Sequence, residues 1–175
     1  MPLVSPEVGI LIGSKSDYPL VKKVEDVFAF FGVSWEISVA SAHRTPDDVV
    51  AYVNNAPKRG IKVLVAAAGL SAALPGVIAA HTRLPVIGIP VNTGTVGGLD
   101  ALLSVAQMPP GVPVASVGID GVKNAALFAV RILALLREDL AGKLDAWSKK
   151  EEDAVRTARN DLEGAHSAPG EAFTL

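Results

Sequence analysis

Residues 8–32 read VGILIGSKSDYPLVKKVEDVFAFFG, and the parsing of that stretch decides the fold. The opening VGILIG is an unbroken apolar run ending in glycine. A strand with one wet face would alternate, so a uniform run suits a strand covered on both faces. Beyond it the period changes. Leu20, Val21, Val24, Val27, Phe28 and Phe31 recur at helical spacing, and Gly32 stands where a left-handed residue would close the helix. Between the two lies a polar turn, GSKSD.

The same unit recurs along the chain. SWEISVA (34–40) precedes TPDDVVAYVNNAPKRG (45–60), where Thr45 is the expected N-cap, Pro46 fits the first turn, and Asp47 and Asp48 favour the positive helix end. KVLVAAAG (62–69) precedes LPGVIAAHT (74–82), PVIGIPV (85–91) precedes GLDALLSVAQM (98–108), and PVASVGI (113–119) precedes NAALFAVRILALL (124–136). Five strands, each followed by a helix, predict an open parallel α/β sheet. No internal repeat or low-complexity tract interrupts it.

From Arg137 the composition turns charged. Leu136, Leu140, Leu144, Trp147, Val155, Ala158 and Leu162 nevertheless keep a roughly helical stripe, with Gly142 a weak point of about 1 kcal/mol relative to Ala. Two parts are expected: an α/β domain over 1–135, and an amphipathic helix and tail over 136–175 whose stripe covers a neighbouring subunit. HSAPGEAFTL (166–175) is expected to be loose or draped on a partner.

A chain of 175 residues suits one domain burying roughly 70% of its unfolded surface. Half the residues are apolar and 19% charged, with a net charge of −2. That balance argues against a nucleic-acid or membrane surface, while one or two local cations could still hold a small anion. With no cysteine, disulfides, thiolate metal sites and cysteine nucleophiles are excluded. No apolar run nears the ~20 residues of a membrane span, and MPLVSPEVG has no signal-peptide pattern, so a cytoplasmic location is expected.

In open α/β sheets, ligands sit beyond the carboxyl ends of the strands. Three turns converge on that edge. In GSKSD (13–17), Gly13 lets the backbone turn closely, Ser14 and Ser16 offer hydroxyls, and the following N–H groups suit an anion. Asp17 could N-cap the helix or accept bonds from a ribose diol, and a capped turn with no ligand explains the same residues. The spacing matches neither a phosphate-binding P-loop nor the dinucleotide fingerprint.

The second turn, SAHRTP (41–46), joins Ser41, His43 and Arg44. A guanidinium fork binds oxyanions bidentately, so Arg44 suits a phosphate. Histidine exchanges protons near neutral pH, and His43 is the best general acid–base candidate. A lone histidine is often structural; the anion-binding turn on the same edge favours chemistry. In the third turn, AAAGLSAALPG (66–76), small residues around Ala68, Gly69, Leu70 and Ser71 would admit a flat ligand close to the backbone, although helix–sheet packing also selects small residues. His81 and His166 have no metal-ligand company, and there is no GxSxG elbow. These residues point to a phosphorylated, nucleotide-like small molecule acted on by His43.

GSKSD, SAHRTP, LPG, PVIGIPV, GLDALLSVAQMPPGVPV and NAALFAVRIL, in this order over residues 8 to about 135, resemble the aminoimidazole ribonucleotide carboxylase and mutase family of purine biosynthesis. The resemblance implies a flavodoxin-like three-layer α/β/α sandwich assembled as a homo-octamer with sites at subunit junctions, and QMPPG (107–111) covering a site in the assembly. It implies that Ser14 and Arg44 hold the 5′-phosphate, Asp17 binds the ribose hydroxyls, Gly13, Ser16, Ser41, Ala68, Gly69, Leu70 and Ser71 line the substrate, and His43 moves the proton. The mutase shifts a carboxylate from N5 to C4 of the imidazole; the carboxylase adds free carbon dioxide at C4. Neither needs a metal, biotin, ATP or other cofactor. One stretch departs from the mutase pattern: GLSAALPG stands for GGAAHLPG, with Ala73 in place of the histidine, and Ser71 and Ala73 nearer the carboxylase pattern GRSNALSG. AHRTP and QMPPG are mutase-like, and Leu70 also lacks the carboxylase arginine. The balance favours the mutase, with the carboxylase as alternative and a non-catalytic nucleotide-binding module as a third reading that an intact His43 disfavours.

Overall fold

Five strands, β1 Val8–Ile12, β2 Trp35–Val39, β3 Val63–Gly69, β4 Val86–Val91 and β5 Ala115–Ser116, pair in parallel in the order β2-β1-β3-β4-β5. This is the flavodoxin-like order. The structure is a computed structural model that describes residues 5–162, so the segment 166–175 lies outside it. Every residue of β1 and β4 is buried, which is why those strands read as continuous apolar runs.

The helices are α1 Tyr18–Val21, α2 Val24–Phe31, α3 Pro46–Asn55, α4 Leu74–Ala80, α5 Leu99–Ala106, α6 Val122–Ala134 and α7 Asp139–Asp161. On one face of the sheet α6 lies on β3 and β4 with α2 beside it. On the other, Leu11, Leu64 and Ala66 of the strands pack with Val49 and Val53 of α3, Leu74 and Ile78 of α4, and Ala101 and Val105 of α5. Burying each large apolar side chain is worth about 1.5–3 kcal/mol, so these two faces hold the sandwich together.

The helical layer over β4 needs Gly88. A Cβ there would run into Val105 Cγ1 of α5 and lie 3.1 Å from Val114 Cγ1 and 3.2 Å from Pro75 Cβ of α4. Gly88→Ala is expected to lower stability by about 1–3 kcal/mol, the usual range for overpacking. Urea unfolding measures it, and an unchanged midpoint would mean that α5 moves aside freely.

Three elements differ from the sequence reading. The helix expected between Tyr18 and Phe31 is two. Tighter i→i+3 bonds, from Lys23 N–H to Leu20 O and from Glu25 N–H to Lys22 O, separate α1 from α2. Gly32 closes α2 at φ +67° as expected. The fifth strand, expected over 113–119, pairs formally only at Ala115–Ser116. It lies at the sheet edge, where Pro113 has no N–H to donate. Val117 N–H still bonds Gly88 O at 3.1 Å. Finally, Leu136 lies outside α7, in the turn after α6, and is 71% exposed.

The chain up to Leu140 forms one compact unit, and from Ala141 a second. In the first, Arg137 clamps the entry to α7. It bonds Glu7 at 2.7 Å and, through two nitrogens, Asp139 at 3.0 and 2.8 Å. In the second, the expected stripe is uneven. Trp147 is buried and Leu144 half-buried, while Val155 and Leu162 are exposed. The exposed face carries the i,i+4 pairs Lys149–Asp153 and Glu152–Arg156.

Candidate active site

The chain leaves β1 for one face of the sheet and β3 for the other, so a crevice opens beyond their adjoining carboxyl ends. There lies a cavity of about 590 Å³ lined by Gly13, Ser14, Ser16, Asp17, Ser41, Ala42, His43, Arg44, Ala68, Gly69, Leu70, Ser71, Ala72, Ala73, Leu74 and Thr93. The size suits a small-molecule ligand. All eleven residues singled out in the sequence line this one cavity.

The turn after β1 is a capping box. Ser14 Oγ accepts from Ser16 N–H at 3.3 Å, and Asp17 Oδ2 accepts from Ser14 N–H at 3.2 Å. Asp17 is therefore not the side-chain N-cap of α1; Ser14 is the cap of the short 3-10 turn before it. The single Ser16 Oγ proton is shared between Ser14 Oγ at 2.8 Å and Asp17 Oδ1 at 3.3 Å. When Ser16 donates to Ser14 Oγ, both bonds there use lone pairs, and the Ser14 proton is left for an anion. Asp17 is only 6% exposed. Burial pushes its carboxyl above the usual range, and the Ser16 hydroxyl and Ser14 N–H partly offset this. The folded chain thus holds this proton more tightly than the unfolded one. Stability from this group falls as pH rises from the ordinary carboxylate range through the raised value. Such a carboxylate is costly for the fold and suits a partner that donates two hydroxyls.

The turn after β2 is closed by Thr45. Its Oγ1 accepts from Ser41 N–H at 3.0 Å, and its backbone N–H donates to Ser41 O at 2.9 Å. Thr45 makes no side-chain cap to α3, contrary to the sequence expectation. Its hydroxyl turns back and holds the loop that presents His43 and Arg44. Ser41 Oγ accepts from Arg44 N–H at 3.3 Å and from Arg44 Nε at 3.4 Å, and Arg44 Nη2 donates to Gly13 O at 3.2 Å. The guanidinium is thereby pinned between the first two turns, with N–H groups left for an anion. His43 is exposed on the same loop.

The turn after β3 is narrow and mostly apolar. Leu70 takes φ +54°, a left-handed conformation that costs a non-glycine residue about 1–2 kcal/mol. The resembling mutase pattern has glycine at that place. Ala73, where that pattern has histidine, lines the cavity, which leaves His43 as its one imidazole among the described residues. His81 is exposed at the end of α4, away from the lining.

The sequence reading missed Thr93, two residues beyond β4. Its signal was its place at the same sheet edge, in an uncharged NTGTVGG loop. Among the described residues, no group of three His, Cys, Asp or Glu is placed to hold a metal, and no helix is long and apolar enough to cross a membrane.

The AIR carboxylase family model matches residues 7–154. The N5-carboxyaminoimidazole ribonucleotide mutase of Thermotoga maritima is 46% identical over 158 residues, 90% of this chain and 92% of that protein. The phosphoribosylaminoimidazole carboxylase of Saccharomyces cerevisiae is also 46% identical, over 161 residues that make up 92% of this chain but 28% of the yeast protein. Among solved structures, PurE of Treponema denticola aligns with a TM-score of 0.81 at 29% identity, covering 90% of this chain and 98% of its own. The sequence match spans all three cavity turns and the fold match spans most of the chain, so this chain belongs to the AIR carboxylase family.

Proposed function

We propose that the chain is an N5-carboxyaminoimidazole ribonucleotide mutase of purine biosynthesis. The observation that carries this reading is the shared turn of His43 and Arg44, held by Thr45 and facing Ser14 and Asp17 across one cavity. Arg44 and Ser14 bind the 5′-phosphate and Asp17 the ribose hydroxyls. The N5 carboxylate departs as carbon dioxide while N5 takes a proton. C4 then attacks the trapped carbon dioxide and loses its hydrogen as a proton, which restores the aromatic ring. One proton is given and one is taken, so His43 ends as it began. The apolar wall of Ala68, Ala72 and Leu74 keeps water from the trapped carbon dioxide. In this reading the enzyme works as a cytoplasmic homo-octamer without cofactor.

The carboxylase is a second reading, favoured by Ser71 and Ala73 in the third turn. Purified protein should be given the N5-carboxyamino compound in one vessel and aminoimidazole ribonucleotide with bicarbonate in the other. The mutase is expected to form the C4 carboxylate faster in the first vessel at low bicarbonate. Product formed only in the second would replace the mutase with the carboxylase. No product in either would leave a binding module.

A further inference from the structure

Gly69 ends β3, and its backbone does not require glycine, because its φ lies outside the left-handed region. What requires glycine is Thr93. A Cβ on Gly69 would overlap Thr93 Oγ1 and lie 3.1 Å from Thr93 Cβ. The last residue of a central strand thus gives up its side chain so that a hydroxyl from the next loop can reach the cavity. Thr93 is half-buried and lines that cavity, and its hydroxyl has no hydrogen-bond partner among the described residues.

The sheet order gives this hydroxyl a place along the ligand. Arg44 follows β2, Ser14 and Asp17 follow β1, Gly69 ends β3, and Thr93 follows β4. The Arg44 guanidinium reaches Gly13 O at the end of β1 and the Thr93 hydroxyl lies over Gly69 at the end of β3, and with strands about 4.8 Å apart the two groups are roughly one to two strand spacings apart along the edge. A ligand anchored by its phosphate at the β2–β1 side presents its opposite end there. Among the described residues Arg44 is the only Lys or Arg lining the cavity, so a neutral donor such as Thr93 is what this chain offers an anionic group away from the Arg44 turn. The apolar Ala72 and Leu74 of the same lining reduce the water in the cavity and so strengthen such a bond.

We propose that Thr93 is a specificity residue whose hydroxyl donates to the C4 carboxylate of the nucleotide and so distinguishes the carboxylated from the uncarboxylated form. The inference rests on the nucleotide reading above, and it holds for mutase and carboxylase alike because both share that carboxylated compound.

Calorimetric titration of wild type, Thr93→Val and Thr93→Ser with 4-carboxyaminoimidazole ribonucleotide and with aminoimidazole ribonucleotide tests it. Valine keeps the shape and removes the hydroxyl. Thr93→Val is expected to bind the carboxylated nucleotide about tenfold to a hundredfold more weakly, as for loss of a hydrogen bond to a charged group. Its affinity for the uncarboxylated nucleotide should be unchanged, which also shows that the cavity is intact. Thr93→Ser should restore the preference. Equal losses for both nucleotides, or no loss for either, would overturn the assignment. A wild-type chain that binds neither nucleotide overturns the functional reading itself, and this inference with it.

Discussion

His43→Asn is expected to lower kcat by about 10²–10⁴-fold, the range for loss of a general acid–base, while nucleotide binding persists. Asparagine still makes hydrogen bonds, but it does not exchange a proton. The proposed route gives a proton to N5 and removes one from C4, so it needs a single group that does both near neutral pH. The cavity offers one imidazole among its described lining residues. Asp17 is the competing group. Its buried carboxyl is raised, but it is already engaged by Ser14 N–H and the Ser16 hydroxyl in a capping box. Among the described residues His43 has no such engagement. It sits exposed on a loop fixed by the Ser41–Thr45 bonds rather than by its own ring. Steady-state kinetics with a separate binding titration decides the matter. Near-normal turnover in His43→Asn would show that the proton travels by another group.

The inner strands β1 and β4 were legible because burial on both faces leaves an unbroken apolar run short enough for a strand and closed by turn residues: VGILI and VIGIPV carry no polar residue at all. The three polar or small-residue turns were legible because a parallel sheet puts every strand's carboxyl end on one edge. Ser14, His43, Arg44 and Ser71, far apart in sequence, therefore had to be close in space. What could not be read was how hydroxyls and carboxylates choose among several reachable partners. Thr45 reaches back to Ser41, though its place before Pro46 suits a helix cap equally well. Asp17 bonds Ser14 N–H for the same reason. Both choices are decided by loop geometry that spacing does not encode. Thr93 escaped notice because its importance lies in a glycine 24 residues earlier, and only coordinates connect the two. Leu136 shows the limit of periodicity. It falls on the apolar stripe in register but lies in the turn between α6 and α7.

Arg44→Ala is expected to weaken nucleotide binding by about 1.5–3 kcal/mol, the range for hydrogen bonds to a charged group, seen mainly as a higher KM. The guanidinium already spends Nε on Ser41 Oγ and one Nη2 proton on Gly13 O. Those bonds fix its plane between the first two turns without neutralising its charge, so it approaches the phosphate with little ordering left to lose. Its loss also removes the tie between the β1 and β2 loops, and some fall in kcat through His43 should accompany the rise in KM. Arg44→Lys separates the two contributions. Lysine restores the charge but not the fork that reaches Ser41, Gly13 and the phosphate together, so it should recover part of the binding and less of the turnover. Inorganic phosphate gives an independent reading, because it competes only for the anchor: wild type should be inhibited by it more strongly than Arg44→Ala. If Arg44→Ala keeps both KM and phosphate inhibition unchanged, the phosphate is bound elsewhere. The polarity of the ligand along the sheet edge, from Arg44 at one end to Thr93 at the other, would then have to be reversed or abandoned.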